Sequence, residues 1–316
     1  MENPPDISPW PELPYPAWRD SCETLHLCTQ IVGKIRLART PWLNHSWHVA
    51  LYVTSRGLTT SPIPDAARSF QIDFDFIDHV LRFATSDGQE RQLALTARPV
   101  AAFYAAVLAA LAELGIDVAI DDRPNELPNP IRFGQDYTHA SYDRDAVHRF
   151  WQVLRQADRV FAGFRTAFIG KSSPVHFFWG SFDLAVTRFS GRRAPRHRGG
   201  VPNLPDVVAQ EAYSHEVSSA GFWPGGGAID YPAFYSYCYP DPAGFRTARV
   251  KPEAAFFSEA MGEFILPYDA VRTAADPDNT LLDFLQSTYE AAADAAQWDR
   301  AALECALGQP RVPRKL

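Results

Sequence analysis

Apolar residues change their spacing several times along the chain, and each change predicts an element. Leu27, Cys28, Ile31, Val32, Ile35 and Ala38 form one apolar arc with helical spacing, predicting a helix from about Ser21 to Arg39. His26, Gln30 and Lys34 follow at i, i+4 and i+8 on its other side, a stripe read here as a solvated helix face. Val49–Ser55 and a short segment beyond Gly57 read as strands. Phe70–Phe76 alternates strictly, with Phe and Ile inward and Asp73 and Asp75 outward on a solvated face. Val80–Ala84 and Gln92–Thr96 flank an Asp87-Gly88 hairpin signal. Pro99 and Gly115 bracket a helix that is apolar nearly all round, and so is expected to be buried on more than one side.

The pattern then repeats in kind. A helix from about Asp143 to Phe164 precedes strands at 176–188, 213–220, 233–239, 254–259 and 262–267, and a helix spans Thr280–Trp298. The fold class is therefore α+β: two similar halves, each an antiparallel sheet flanked by helices. The repeated order of elements suggests an internal duplication with a pocket at the junction. The halves are 1–120 and 143–300, joined by a Pro-rich linker at 121–142 and followed by a flexible tail at 301–316. The prolines of residues 1–22 predict an extended arm pinned by Trp10 and Trp18.

Composition narrows the function classes. Hydrophobic residues make up 46% and charged residues 21%, an ordinary globular balance, while 13% aromatic content can fill a core or line a cavity. A net charge of −7 argues against nucleic acid as a partner. No apolar run approaches membrane-spanning length, so no membrane partner is expected. The first residues lack the basic and apolar regions of a secretory signal. Cys22, Cys28, Cys238 and Cys305 form no CxxC pair, which fits four buried thiols in a reducing cytoplasm.

The chemistry concentrates in two stretches. His176-Phe177-Phe178-Trp179-Gly180-Ser181-Phe182-Asp183-Leu184-Ala185-Val186-Thr187-Arg188 reads as one strand carrying three ionisable residues among apolar neighbours, and buried polar groups need partners or a wet pocket. Alternation through it puts Trp179, Ser181, Asp183 and Thr187 on one face and His176 and Arg188 on the other. In 213–220, Ser214, Glu216 and Ser218 share a face opposite His215. If the strands pair, His215, Glu216 and Asp183 are the candidate acid/base groups. Trp179 and Trp223 would stack on a ligand, and Arg188 would hold its anionic group. His45, His48 and Lys34 complete the candidate substrate contacts. The ligand expected on these grounds is small and anionic or aromatic. A divalent metal held by His176, His215 and Glu216 is the alternative occupant. The arginines of 191–211 could form a lid, although a solvated loop is the simpler reading. No phosphate loop, dinucleotide fingerprint or GxSxG elbow occurs, so no nucleotide cofactor is supported.

Several blocks, among them Trp10-Pro11-Glu12-Leu13, Thr24-Leu25-His26-Leu27, Gln30-Ile31-Val32-Gly33-Lys34, Phe74-Asp75-Phe76-Ile77-Asp78-His79, the His176–Arg188 stretch and Tyr213-Ser214-His215-Glu216-Val217-Ser218-Ser219, resemble a bacterial protein family of unknown function. The resemblance covers about Trp10 to Trp298. It implies one intact unit and no particular chemistry. Three readings follow: an acid/base enzyme acting on a small molecule, a metal-dependent enzyme in the same pocket, or a non-catalytic binding protein.

Overall fold

A computed structural model of the chain describes residues 9–314. The first eight residues of the expected arm and the last two of the expected tail lie outside them. The arm is shorter than expected, because helix α1 (Tyr15–Arg39) starts within it. Pro16 stands in the first turn, where a missing amide costs nothing. Trp10 and Trp18 are buried, as the aromatic anchors suggested.

α1 runs through the interior. Its expected solvated stripe is not solvated: Gln30 is 0% and Lys34 4% exposed. The polar stripe survives burial because the chain supplies partners. Gln30 Nε2 donates to Asn125 O (3.0 Å) and Gln30 Oε1 accepts from Asn125 N (2.8 Å).

The first sheet contains β1 (Tyr52–Val53), β2 (Gly57–Thr59), β3 (Ile63–Asp65), β4 (Arg68–Asp75), β5 (Val80–Thr85) and β6 (Glu90–Ala94). Its order is β1-β2-β4-β5-β6, with β3 also on β4, and every pair is antiparallel. Helix α2 (Val100–Glu113) follows. It buries Val100, Phe103, Val107 and Leu111, whereas Ala102, Ala105 and Ala109 are exposed, so it is buried on one side only. Alanine keeps the outer face helical without demanding burial. Asp73 and Asp75 also part company. Asp75 is 2% exposed and accepts from Arg56 Nε (2.6 Å), Arg82 Nε (3.2 Å) and the amides of Ile77 and Asp78. Burial alone would raise its carboxyl, but these donors together hold it at about 2.

Residues 114–143 lead to α3 (Arg144–Thr166), whose N-cap Asp143 accepts from Ala146 N. The second sheet contains β7 (His176–Phe178), β8 (Asp183–Arg193), β9 (His215–Trp223), β10 (Ala233–Tyr239), β11 (Phe256–Ser258) and β12 (Glu263–Pro267). Its order is β11-β12-β10-β9-β8-β7, again antiparallel throughout. α4 (Asp206–Ala212) interrupts the arginine-rich loop. α5 (Tyr268–Arg272), α6 (Pro277–Ala295) and α7 (Arg300–Leu303) close the chain. The structure is thus α+β, with two six-stranded antiparallel sheets flanked by helices.

A single buried cluster reaches from Trp10 to Trp298 and draws on both halves. One backbone bridge joins the sheets: Leu51 N donates to Phe177 O (2.8 Å) and Phe177 N to Leu51 O (2.7 Å).

Candidate functional site

The stretch expected to form one strand is a hairpin. β7 ends at Phe178, and the turn through Trp179–Phe182 places Phe182 at φ 60°. His176 pairs with Ala185 and Phe178 with Asp183. Paired residues share a face, so the turn moves His176 to the side of Asp183, opposite to the single-strand reading. On that face β8 offers Asp183, Ala185, Thr187 and Phe189. Its other face, with Leu184, Val186 and Arg188, packs on the core.

The first face forms one wall of a cavity of about 1030 Å³. β9 adds Val217, Ser219 and Trp223, β10 adds Tyr235 and Tyr237, and β12 adds Glu263. α1 contributes Tyr15, Cys22 and His26. The segment expected to be an interdomain linker contributes Asn125, Glu126, Leu127, Pro128 and His139, so it roofs the cavity. It is clasped to the arginine-rich loop: Glu126 N donates to Pro202 O (2.8 Å), and Asn203 Nδ2 donates to Leu127 O (2.6 Å).

Three carboxyls converge here from distant parts of the sequence. Asp183, 6% exposed, accepts from Ser181 Oγ (2.5 Å) and from the Tyr235 hydroxyl. Gly221 makes the second bond feasible, because a Cβ there would stand 2.3 Å from the Tyr235 oxygen. Burial raises the Asp183 carboxyl, and its two hydroxyl donors pull in the other direction. Glu126 lies against the hairpin turn, its Oε1 occupying the space where a Gly180 side chain would stand. Burial and then the nearby Asp183 raise Glu126 to about 7, and the same two causes raise Glu263 to about 7. A second hydroxyl chain lies beside them: Tyr213 and Tyr237 are 2.8 Å apart, and Thr187 and Ser219 2.9 Å. His26 Nε2 donates to Gly180 O (2.8 Å), its ring stacks on Phe182, and burial lowers it to about 4.

Aromatic and imidazole groups line the other end. Trp179 Nε1 donates to Val49 O (2.9 Å), and the ring lies so close to α1 that a Cβ on Gly33 would stand 2.1 Å from it. His176 is 1% exposed, its imidazole makes no hydrogen bond to any described residue, and burial lowers it to about 3. Ser46 Oγ is also buried without a partner. His45 and Ser46 hold left-handed backbone, at φ 60° and 57°. His45 is fixed there: its amide donates to Glu211 (2.7 Å), Nδ1 to Ala212 O (2.9 Å), and Nε2 accepts from Lys171 (2.6 Å). These partners select the neutral tautomer with the proton on Nδ1.

The expected residues therefore divide. Asp183, Trp179, Trp223, His45 and His176 line the cavity, and His48, Lys34, Arg188, His215 and Glu216 do not. Arg188, expected to hold an anion, has its guanidinium 3.4 Å from the Phe164 ring centre and 4.3 Å from that of Tyr289, and donates to Phe164 O (2.5 Å). Glu216 faces away from the cavity, where Arg192 donates to it (2.7 Å) and Ser190 donates to it (2.8 Å). His215 pairs with Arg193, whereas Leu184 beside Asp183 pairs with Phe222. Seven residues of β9 thus separate the two positions, roughly 23 Å of extended chain. The structure does not assemble His215, Glu216 and Asp183, nor the metal set of His176, His215 and Glu216. Among the described residues no group of three His, Cys, Asp or Glu is arranged to hold a metal ion. His48 accepts from Leu43 N (3.1 Å) under the Trp42 ring. Lys34 lies near Asp121 and Asp122, and burial lowers its ammonium. Glu126 and Glu263, rather than His215 and Glu216, line the cavity with Asp183. Neither stood out in sequence, since one lies between Pro124 and Pro128 in a proline-rich segment and the other opens a short strand.

No helix of the described residues is long and apolar enough to cross a membrane. No curated protein and no solved structure matches the chain. A family model does match, over residues 10–305, and the chain belongs to that family of unknown function, DUF5996.

Proposed function

We propose that the protein is an enzyme acting on a small molecule by general acid/base chemistry inside this cavity. Glu126 and Glu263 are the proton-transfer groups, and Asp183 sets their acidity. The observation that carries the reading is that two carboxyls, brought within electrostatic reach of Asp183, are both raised to about 7 in an aromatic-lined cavity. A group that titrates near the working pH is present in both protonation states and can give or take a proton. Neither glutamate side chain forms an ion pair with a described residue, and burial and Asp183 alone set their acidity. The aromatic lining would orient an apolar substrate and exclude water, which strengthens each charge interaction.

A second reading, a non-catalytic binding protein, draws on Asp183 itself, whose hydroxyl donors already satisfy it. The test is to collect cavity binders from a small-molecule library and follow each one by mass spectrometry. At least one binder should be converted, with a rate that falls about 10²–10⁴-fold in Glu126→Gln or Glu263→Gln. Binders that compete for the cavity and all come back unchanged would leave the binding reading standing and refute the enzyme.

A further inference from the structure

The formally charged side chains that line the cavity are all acidic, and Lys171 at its edge is held by His45. Glu126, Asp183 and Glu263 face it, and among its described lining residues there is no lysine or arginine. The arginines nearest in sequence are engaged elsewhere: Arg188 lies among aromatic rings on the far face of β8, and Arg192 is bound to Glu216. Acidic side chains alone would not define a ligand. A separate feature at the other end does point to one. The His176 imidazole is 1% exposed, lines the same cavity and makes no hydrogen bond to any described residue, and Ser46 Oγ is likewise buried and unpartnered. A buried polar group without a partner costs free energy, on the order of 1–3 kcal/mol, unless a bound molecule supplies the missing bond. One end therefore calls for positive charge with N–H donors, and the other for a neutral hydrogen-bonding group. Trp47 and Phe178 flank His176, with ring centres 6.4 and 4.4 Å from it.

We infer that the cavity takes an organic cation, an amine whose protonated nitrogen sits among Glu126, Asp183 and Glu263 while its apolar or aromatic body lies toward Trp179 and Phe178 and carries a neutral hydrogen-bonding group to His176 and Ser46. The inference rests on the same cavity as the acid/base reading and adds the substrate class. It replaces the anionic ligand expected from Arg188, which lies outside the cavity. The amine nitrogen would satisfy carboxyls that otherwise repel one another, and aromatic faces favour cations as well as flat apolar groups.

Three probes of similar size separate charge from shape: 4-phenylbutylamine, 4-phenylbutan-1-ol and 4-phenylbutyrate, titrated calorimetrically into the full chain at pH 8. The amine is expected to bind about 10–100-fold more tightly than the alcohol, the worth of a charge-assisted hydrogen bond, with the carboxylate weakest. In Glu126→Gln that preference should shrink while affinity for the alcohol stays unchanged. Asp183→Asn is the stronger variant. If it fails to fold, Glu126→Gln suffices, because the Glu126 carboxyl makes no hydrogen bond or ion pair to any described residue whose loss would disturb the fold. Equal binding of all three, tighter binding of the alcohol or carboxylate, or no binding by any of them overturns the inference. An amine that binds tightly, with every cavity binder returned unchanged, supports the inference and refutes the acid/base reading. Conversion of a neutral or anionic binder, with the amine excluded, does the opposite.

Discussion

Replacing a glycine inside a helix by alanine ordinarily stabilises a protein, by about 0.5–1 kcal/mol, because alanine restricts the unfolded chain and forms helix well. Gly33 of α1 should break that rule. A Cβ at this position would stand 2.1 Å from Trp179 Nε1, 2.2 Å from Cδ1 and 2.4 Å from Cε2. The ring cannot stay where it is. Moving it breaks the buried bond from Nε1 to Val49 O and forces repacking next to the cavity. Overpacking costs about 1–3 kcal/mol and an orphaned buried carbonyl about 1–3 kcal/mol, so Gly33→Ala should destabilise by about 1–5 kcal/mol after the helix gain is subtracted. Gly163 of α3 is the control, since a Cβ there meets nothing within 4 Å. Gly163→Ala should stabilise by about 0.5–1 kcal/mol. Urea unfolding of both variants, followed by tryptophan fluorescence, gives the two free energies. If Gly33→Ala is as stable as the parent, or gains as Gly163→Ala does, the ring does not occupy that space and the described cavity wall is wrong.

Two further outcomes concern charge. Burial and Asp183 raise Glu126 to about 7, so the native state holds its proton more tightly than the unfolded chain does; that stabilisation is fully present at low pH and lost as pH rises through about 7. Stability of Glu126→Gln, measured relative to the parent by urea unfolding, should therefore improve between pH 5 and pH 8, by at most about 1.4 kcal/mol per pH unit, and a flat difference would contradict the shift. Asp75 has the opposite sign: held at about 2, it contributes stability above the usual carboxylate range that is lost as pH falls. Asp75→Asn should cost about 2–4 kcal/mol at pH 7, because Arg56, Arg82 and two backbone amides lose an anionic acceptor, and that cost should shrink toward pH 3.

The elements that could be read from the sequence were those whose local chemistry agrees with their packing. α3 starts at the aspartate that caps it, and β4 alternates where it is half buried. α1 was mistaken at its polar stripe, because periodicity distinguishes faces and does not reveal that a second polar surface, the Asn125 backbone, will cover one of them. The hairpin at Trp179–Phe182 was hidden by apolar residues that read as continuous strand. Only the left-handed Phe182 reverses the chain, and nothing in its side chain announces that. Asp183 was legible as a lone acid in an aromatic run. Glu126 and Glu263 were not, since their proximity to it depends on the path of the roof segment and on the strand order β12-β10-β9-β8. The tyrosines of β10 at alternate positions, 235, 237 and 239, were the available hint of a polar-tipped aromatic wall.

The bridge between Leu51 and Phe177 also bears on solubility. An open sheet presents unpaired amides and carbonyls on its outermost strands, and these can template pairing with another molecule. Here β1 and β7, each terminal in its own sheet, meet each other and shield part of that backbone. The opposite outermost strands are poor templates. β6 begins Glu90-Arg91-Gln92 and is largely exposed, and β11 is three residues long. β3, alongside β4, carries Pro64 and Asp65. Among the described residues the two broad antiparallel sheets thus show no long, flat, apolar margin for a second copy to extend into an aggregate.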